Sequence, residues 1–215
     1  MLRVIAGQVK GMRLKSLPGD LTRPPTGRVK AALFSIIQEA VEGASFLDLF
    51  AGTGSYSVEA LSRGARRATL VELNPRQISV IRENLRRTNL ADRAQIIQGD
   101  VLRVLGSQKL TGPFDLVIVA PPHLRELCQR TLDRLATLGD RAPLSPSATV
   151  FVQHHRDDAL PERIGPLVLV RQYRYGITVL SRYTWADSVY APASADDDGV
   201  QDRRLSGSAS DEPER

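Results

Sequence analysis

Residues 46–72 constrain the fold more than any other stretch. Phe46-Leu47-Asp48-Leu49-Phe50 reads as a strand, Ala51-Gly52-Thr53-Gly54 as a tight turn, Ser55 to Arg63 as a helix ended by Gly64, and Ala68-Thr69-Leu70-Val71-Glu72 as a second strand. Strand, glycine turn, helix and strand in immediate succession form a βαβ unit, which needs a parallel sheet covered by helices. The alternation continues. Pro75 to Thr88 places Ile78, Ile81 and Leu85 on one helical face, Ala94 to Gln98 is a third strand, and Phe114 to Val119 a fourth. The fourth is the most apolar, as a central parallel strand buried on both faces should be. A helix over Leu124 to Leu138 and a strand over Ala148 to Val152 follow. Leu167 to Arg171 and Gly176 to Tyr183 lie close enough for an antiparallel hairpin. The fold class is α/β, a doubly wound and mostly parallel sheet.

Both ends differ from this body. Residues 1–24 alternate as a small β-hairpin, with Gly7 and Gly11 as punctuation, before a helix opened by Pro24 and Pro25 that carries Val29, Leu33, Ile36, Ile37 and Ala40 on one face and ends at Gly43. Residues 186–215 hold eight acids and three arginines with almost no large apolar side chain, a composition expected to stay disordered. The division is a basic N-terminal extension (1–24), an α/β domain (25–185) and an acidic tail (186–215). The formal charge of +5 is thus a sum over a body of +10 and a tail of −5. Seven of the body's bases lie in the first 30 residues, beside one acid. A polyanionic partner fits that segment, although most charge runs are only solvated faces.

Other classes are excluded by composition. A hydrophobic content of 42% in 215 residues suits one globular core. The single Cys128 cannot form an internal disulfide, which fits a reducing compartment. No apolar run is long enough to span a membrane, and the start Met-Leu-Arg-Val-Ile-Ala-Gly has no signal-peptide character, so a cytoplasmic setting is expected. His154 and His155 are neighbours on a strand and point to opposite faces, which argues against a metal site.

Four strand ends carry candidate chemistry. At the first, Gly52 and Gly54 let backbone approach a ligand at a helix N-terminus. Dinucleotide binders use such a turn, but their third glycine is Ser57 here, and Asp48 ahead of the turn suits a cofactor with a cationic amine, such as S-adenosylmethionine. At the second, Glu72 can accept ribose hydroxyls, a role shared by both cofactor classes. At the third, Asp100 can meet an adenine amine or simply cap the following helix. At the fourth, Ala120-Pro121-Pro122-His123 forms a rigid loop at the edge where open α/β sheets bind ligands.

These residues resemble a known group, the bacterial 16S rRNA (guanine-N2)-methyltransferases. The resemblance spans about residues 1–185. It rests on Arg3-Val4-Ile5-Ala6-Gly7 with Gly11 and Leu14-Lys15, on Thr22-Arg23-Pro24 with Thr26 and Arg28-Val29-Lys30, and on Ala32-Leu33-Phe34. It continues through Leu47 to Gly54, Glu59-Ala60-Leu61-Ser62-Arg63-Gly64-Ala65, Val71-Glu72, and Tyr175-Gly176 with Thr178-Val179-Leu180 and Tyr183. It implies a Rossmann-like class I methyltransferase with a seven-stranded sheet and an N-terminal hairpin. It implies methyl transfer from S-adenosylmethionine to the exocyclic amine of a guanine in 16S rRNA or the assembling small subunit, with no metal, by a protein expected to be a monomer. Position by position, Asp48, Gly52, Gly54, Glu72 and Asp100 would hold the cofactor. Arg23, Thr26 and Arg28 would lie near the target nucleotide, and Pro121, Pro122 and His123 would form the catalytic loop.

The loop departs from the group's pattern. The family has Asp or Asn where Ala120 stands, and Tyr or Phe where His123 stands; Gly27 replaces a usual acid. Two further readings therefore stand beside the enzyme: a binding protein of this fold with impaired or no catalysis, and an NAD-dependent oxidoreductase, which Ser57 disfavours.

Overall fold

The computed structural model describes residues 2–17, 27–122 and 125–185. Arg23, Thr26, His123 and the acidic tail lie outside the described residues.

Eight strands form one sheet in the order β3-β2-β1-β4-β5-β8-β7-β6. β1 (Ser45–Leu49), β2 (Arg67–Glu72), β3 (Ala94–Gln98), β4 (Phe114–Val119) and β5 (Leu144–His155) are parallel neighbours. β8 (Thr178–Trp185) runs antiparallel to β5, and β7 (Leu167–Tyr175) antiparallel to β8. The expected count of seven strands is one short. β6 (Arg163–Ile164) adds two residues that fold back on β7 through Gly165, at φ +54°, so that Ile164 is buried. β5 also begins earlier than Ala148, because Leu144 pairs with Phe114 before a register shift restores Leu116 to Thr149.

The sheet separates two apolar clusters. One face carries Phe46, Ile118, Phe151 and Leu180 against α1 (Gly27–Ile36), α2 (Ser55–Ser62) and α3 (Pro75–Arg87). The other carries Leu47, Leu49, Val117 and Val119 against α4 (Val101–Val104) and α5 (Arg125–Leu138). Strand alternation produces this split: each strand sends successive side chains to opposite helical layers. α1 stops at Ile36, short of Ala40, and the chain reaches Gly43 through turns.

The N-terminal hairpin is a single antiparallel bridge, Arg3 to Arg13, made by the Val4 N–H to Met12 O and Leu14 N–H to Leu2 O bonds and closed by Gly11 N–H to Val4 O. Too short to stand alone, it docks on α2. The amides of Ile5 and Ala6 donate to the two oxygens of Glu59 at 2.8 and 2.9 Å, and Gln8 N–H donates to Ser62 O at 2.8 Å. The buried Lys30 ammonium donates to Arg3 O at 2.8 Å. At the hairpin's exit the Asn84 amide group of α3 donates both to Lys15 O at 3.1 Å and to Thr53 O at 2.9 Å.

Candidate active site

The chain runs outward from β1 to β3, then returns to the other side of β1 as β4. The carboxyl ends of β1 and β4 therefore flank a topological switch point, where ligands enter open α/β sheets. The turn after β1 is wound left-handed at three positions, Phe50 (φ +72°), Gly52 (+54°) and Gly54 (+73°). At Phe50 that conformation costs about 1–3 kcal/mol. No glycine-based reading marks this residue, so the sequence conceals it.

Asp48 lies beneath the turn, essentially unexposed. Its Oδ2 accepts from Ser57 Oγ at 2.7 Å, while Oδ1 is buried with no partner among the described residues. Burial raises its pKa to about 7, opposed by the Ser57 bonds and assisted by the negative Glu72. Glu72, at the end of β2, accepts from Gly52 N–H at 2.7 Å on one oxygen and from Asn74 N–H at 2.8 Å on the other. Each oxygen keeps a second lone pair for an incoming hydroxyl. Asn74 in turn caps α3, accepting from Arg76 N–H at 2.9 Å. Asp48, Gly52, Gly54 and Glu72 thus gather at two neighbouring strand ends and the turn between β1 and α2.

Asp100 sits at the end of β3 and accepts from Arg103 N–H at 3.1 Å, which makes it the cap of α4. It borders a groove between α4 and α5 lined also by Arg103, Arg130, Asp133 and Arg134, and the preceding Gly99 N–H donates to Glu72 O at 3.0 Å. Pro121 is half-buried and Pro122 exposed, past the end of β4. Arg28 is exposed at the start of α1; burial raises the pKa of Tyr175, and the Arg28 charge opposes that rise.

A polar pair absent from the sequence reading joins α2 to β5. Tyr56 Oη donates to Gln153 Oε1 at 2.5 Å. Ile118 pairs with Phe151 and Val119 with Val152, so Gln153 sits beside Ala120, on the same face. Ala120 packs against the apolar cluster and offers no acceptor. Burial and the nearby Asp48 hold the Tyr56 phenol protonated, with its pKa raised. The partners are 97 residues apart in sequence, and only strand register reveals them.

His154 serves the frame. It is buried, its Nε2 lies 2.8 Å from Ser181 Oγ and its Nδ1 2.9 Å from His155 O, and burial lowers its pKa. Among the described residues no group of three or more His, Cys, Asp or Glu could hold a metal ion. No helix among them is long and apolar enough to cross a membrane.

The geometry can be set beside known proteins. A Bacillus subtilis (strain 168) protein, provisionally named an rRNA methyltransferase, is 35% identical over 185 residues, covering 85% of this chain and 98% of its own. Ribosomal RNA small subunit methyltransferase D of Escherichia coli K12 is 34% identical over 160 residues, 74% of this chain and 78% of that protein. Among solved structures, an Escherichia coli protein provisionally described as a methyltransferase superposes with a TM-score of 0.74 at 29% identity, covering 86% of this chain and 97% of its own. An RNA methyltransferase from Salinibacter ruber, solved with S-adenosyl-L-homocysteine, shares the fold at a TM-score of 0.59 and 19% identity, over 81% of this chain and all of that one. The family model described as "Conserved hypothetical protein 95" matches residues 2–184, and this chain belongs to that family.

Proposed function

We propose that this protein is an rRNA methyltransferase that transfers a methyl group from S-adenosylmethionine to the exocyclic N2 amine of a guanine in small-subunit rRNA, acting in the cytoplasm. The observation that carries the reading is the unpartnered Oδ1 of Asp48, buried beneath a left-handed glycine turn whose Gly52 N–H donates to Glu72. A buried, unpartnered carboxylate oxygen calls for a cation, and the α-ammonium of S-adenosylmethionine is one. Glu72 then takes the ribose hydroxyls, and Asp100 the adenine end. When bound, the cofactor supplies an electrophilic methyl group on a sulfonium.

The chain's own residues prepare the acceptor. The guanine N2 lone pair is delocalised into the ring, so side-chain and carbonyl acceptors must hold its hydrogens for attack. Ala120 supplies none. The Pro121 carbonyl and Gln153 Oε1, fixed by Tyr56, are the acceptors this reading assigns.

The test is transfer of labelled methyl groups to unmethylated small-subunit particles, with the product nucleoside identified by mass spectrometry. The alternative, a particle-binding protein without turnover, is motivated by Ala120. It requires tight particle binding, no label transfer, and a gain of transfer in Ala120→Asp.

A further inference from the structure

On the α1–α3 face of the sheet, strand register draws straight rows across the molecule. One row runs from Gln153 to Leu180 to Tyr173, and the next from His155 to Thr178 to Tyr175. Both lie at the carboxyl edge of β5, in line with the Pro121-Pro122 loop. A third row pairs Phe151 with Arg182 and Arg182 with Arg171. The outer end of these rows, on β7, is therefore a strip of Arg171, Tyr173 and Tyr175. The Arg171 guanidinium lies 5.2 Å from the Tyr173 ring centre, and Arg28 approaches Tyr175 from α1.

Among the described residues no carboxylate pairs with the strip's arginines. Arg171 and Arg182 are directly opposed across the strands, an arrangement that repels. Among the described residues neither forms an ion pair, and Arg182 Nε is buried with no partner. A bulge at Val170 precedes Arg171 and leaves Val170 49% exposed. Cations beside partly exposed aromatic faces match a chain that has anionic links and flat bases.

We propose that Arg171, Tyr173, Tyr175 and Arg28 form a docking strip for unpaired RNA, which holds nucleotides flanking the one presented to the Pro121-Pro122 loop. Bases stack on the tyrosines and phosphates meet Arg171, Arg182 and Arg28. The inference rests on the proposed rRNA substrate and adds the surface that grips it.

The experiment measures binding of the full chain to a fluorescein-labelled, guanine-containing single-stranded RNA at several salt concentrations, without cofactor. Arg171→Gln and Arg28→Gln should each weaken binding and flatten the log–log salt slope by about 0.7 per lost phosphate contact. Tyr173→Ala should weaken binding roughly 5- to 150-fold, and Tyr173→Phe should not. Arg141→Gln, on an exposed turn outside the strip, should leave affinity and slope unchanged. Because Tyr173 packs on the core, the exposed arginine variants carry the test if Tyr173→Ala melts early. Wild-type affinity and slope in both arginine variants overturns the strip. So does loss of particle binding with RNA binding intact, since that assigns the strip to a protein of the particle. Failure of methyl transfer with these RNA effects present would sink the proposed reaction and leave the strip standing.

Discussion

Lys30 Nζ lies 3.1 Å from Glu59 Oε2, and neither side chain is exposed. Glu59 also accepts from Arg63 Nε at 2.9 Å and from the amides of Ile5 and Ala6. One carboxylate thus gathers two cations and the hairpin backbone. Burial lowers the Lys30 pKa, and Glu59 pulls it back up. Glu59→Gln keeps the shape but leaves a buried ammonium uncompensated. It should destabilise the protein by about 3–5 kcal/mol, read as a lower denaturant midpoint.

Asp48 gives the site a pH dependence with a definite sign. Its pKa is raised to about 7, so the folded protein holds a proton that the unfolded chain releases near 4. Its contribution therefore favours folding at acid pH and fades as pH rises from about 4 to about 7. Binding of a cationic amine needs the ionised form. Affinity for S-adenosylmethionine should rise with pH up to about 7 and level off above it, by calorimetry. Asp48→Asn should flatten this profile, lower affinity throughout, and raise the melting temperature at pH above 7.

Gln153 is tested by rescue. Gln153→Ala should lower kcat by about 10²–10³ with little change in cofactor affinity. Ala120→Asp should restore turnover in that background, because it puts an acceptor back beside Pro121. A merely structural role for Gln153 would not respond to a new acid at position 120.

Gly7 sits at φ +82°, and a Cβ there would meet Ser62 O at 1.9 Å. Gly7→Ala should lift the hairpin from α2. Faster amide exchange over residues 2–14 would report it, while β1 and β4 stay protected. RNA affinity should fall with a flatter salt slope, since Arg3, Lys10 and Arg13 leave the surface together.

Much of this was legible in the chain because the relevant signals are local. Asp48, Gly52 and Gly54 fall within one strand and one turn, and Glu72 ends the next strand, so the strand pattern and the glycine turn sufficed to place them at adjacent strand ends. Asp100 could be read as an adenine contact or as a helix cap, and the fold shows the cap. What the sequence hid depends on register. Gln153 meets Tyr56 only because β5 lies beside β4, and Arg171 meets Arg182 only because Val170 bulges. β6 escaped because two residues carry no period. Phe50 escaped because its strain comes from the turn around it, and its own side chain does not announce it.

The Asn84 amide group offers two hydrogens, and both are used, one on the hairpin's exit and one on the glycine turn. Its Oδ1 meanwhile accepts from Lys15 N–H at 2.7 Å. Replacing that nitrogen by oxygen, as in Asn84→Asp or by slow deamidation, changes shape hardly at all. It would set a new acceptor against two carbonyl oxygens in a buried place. A one-atom exchange on α3 would then loosen the basic arm and the glycine turn at the same moment, so chemical ageing at this position would act on two segments far apart in sequence through one side chain.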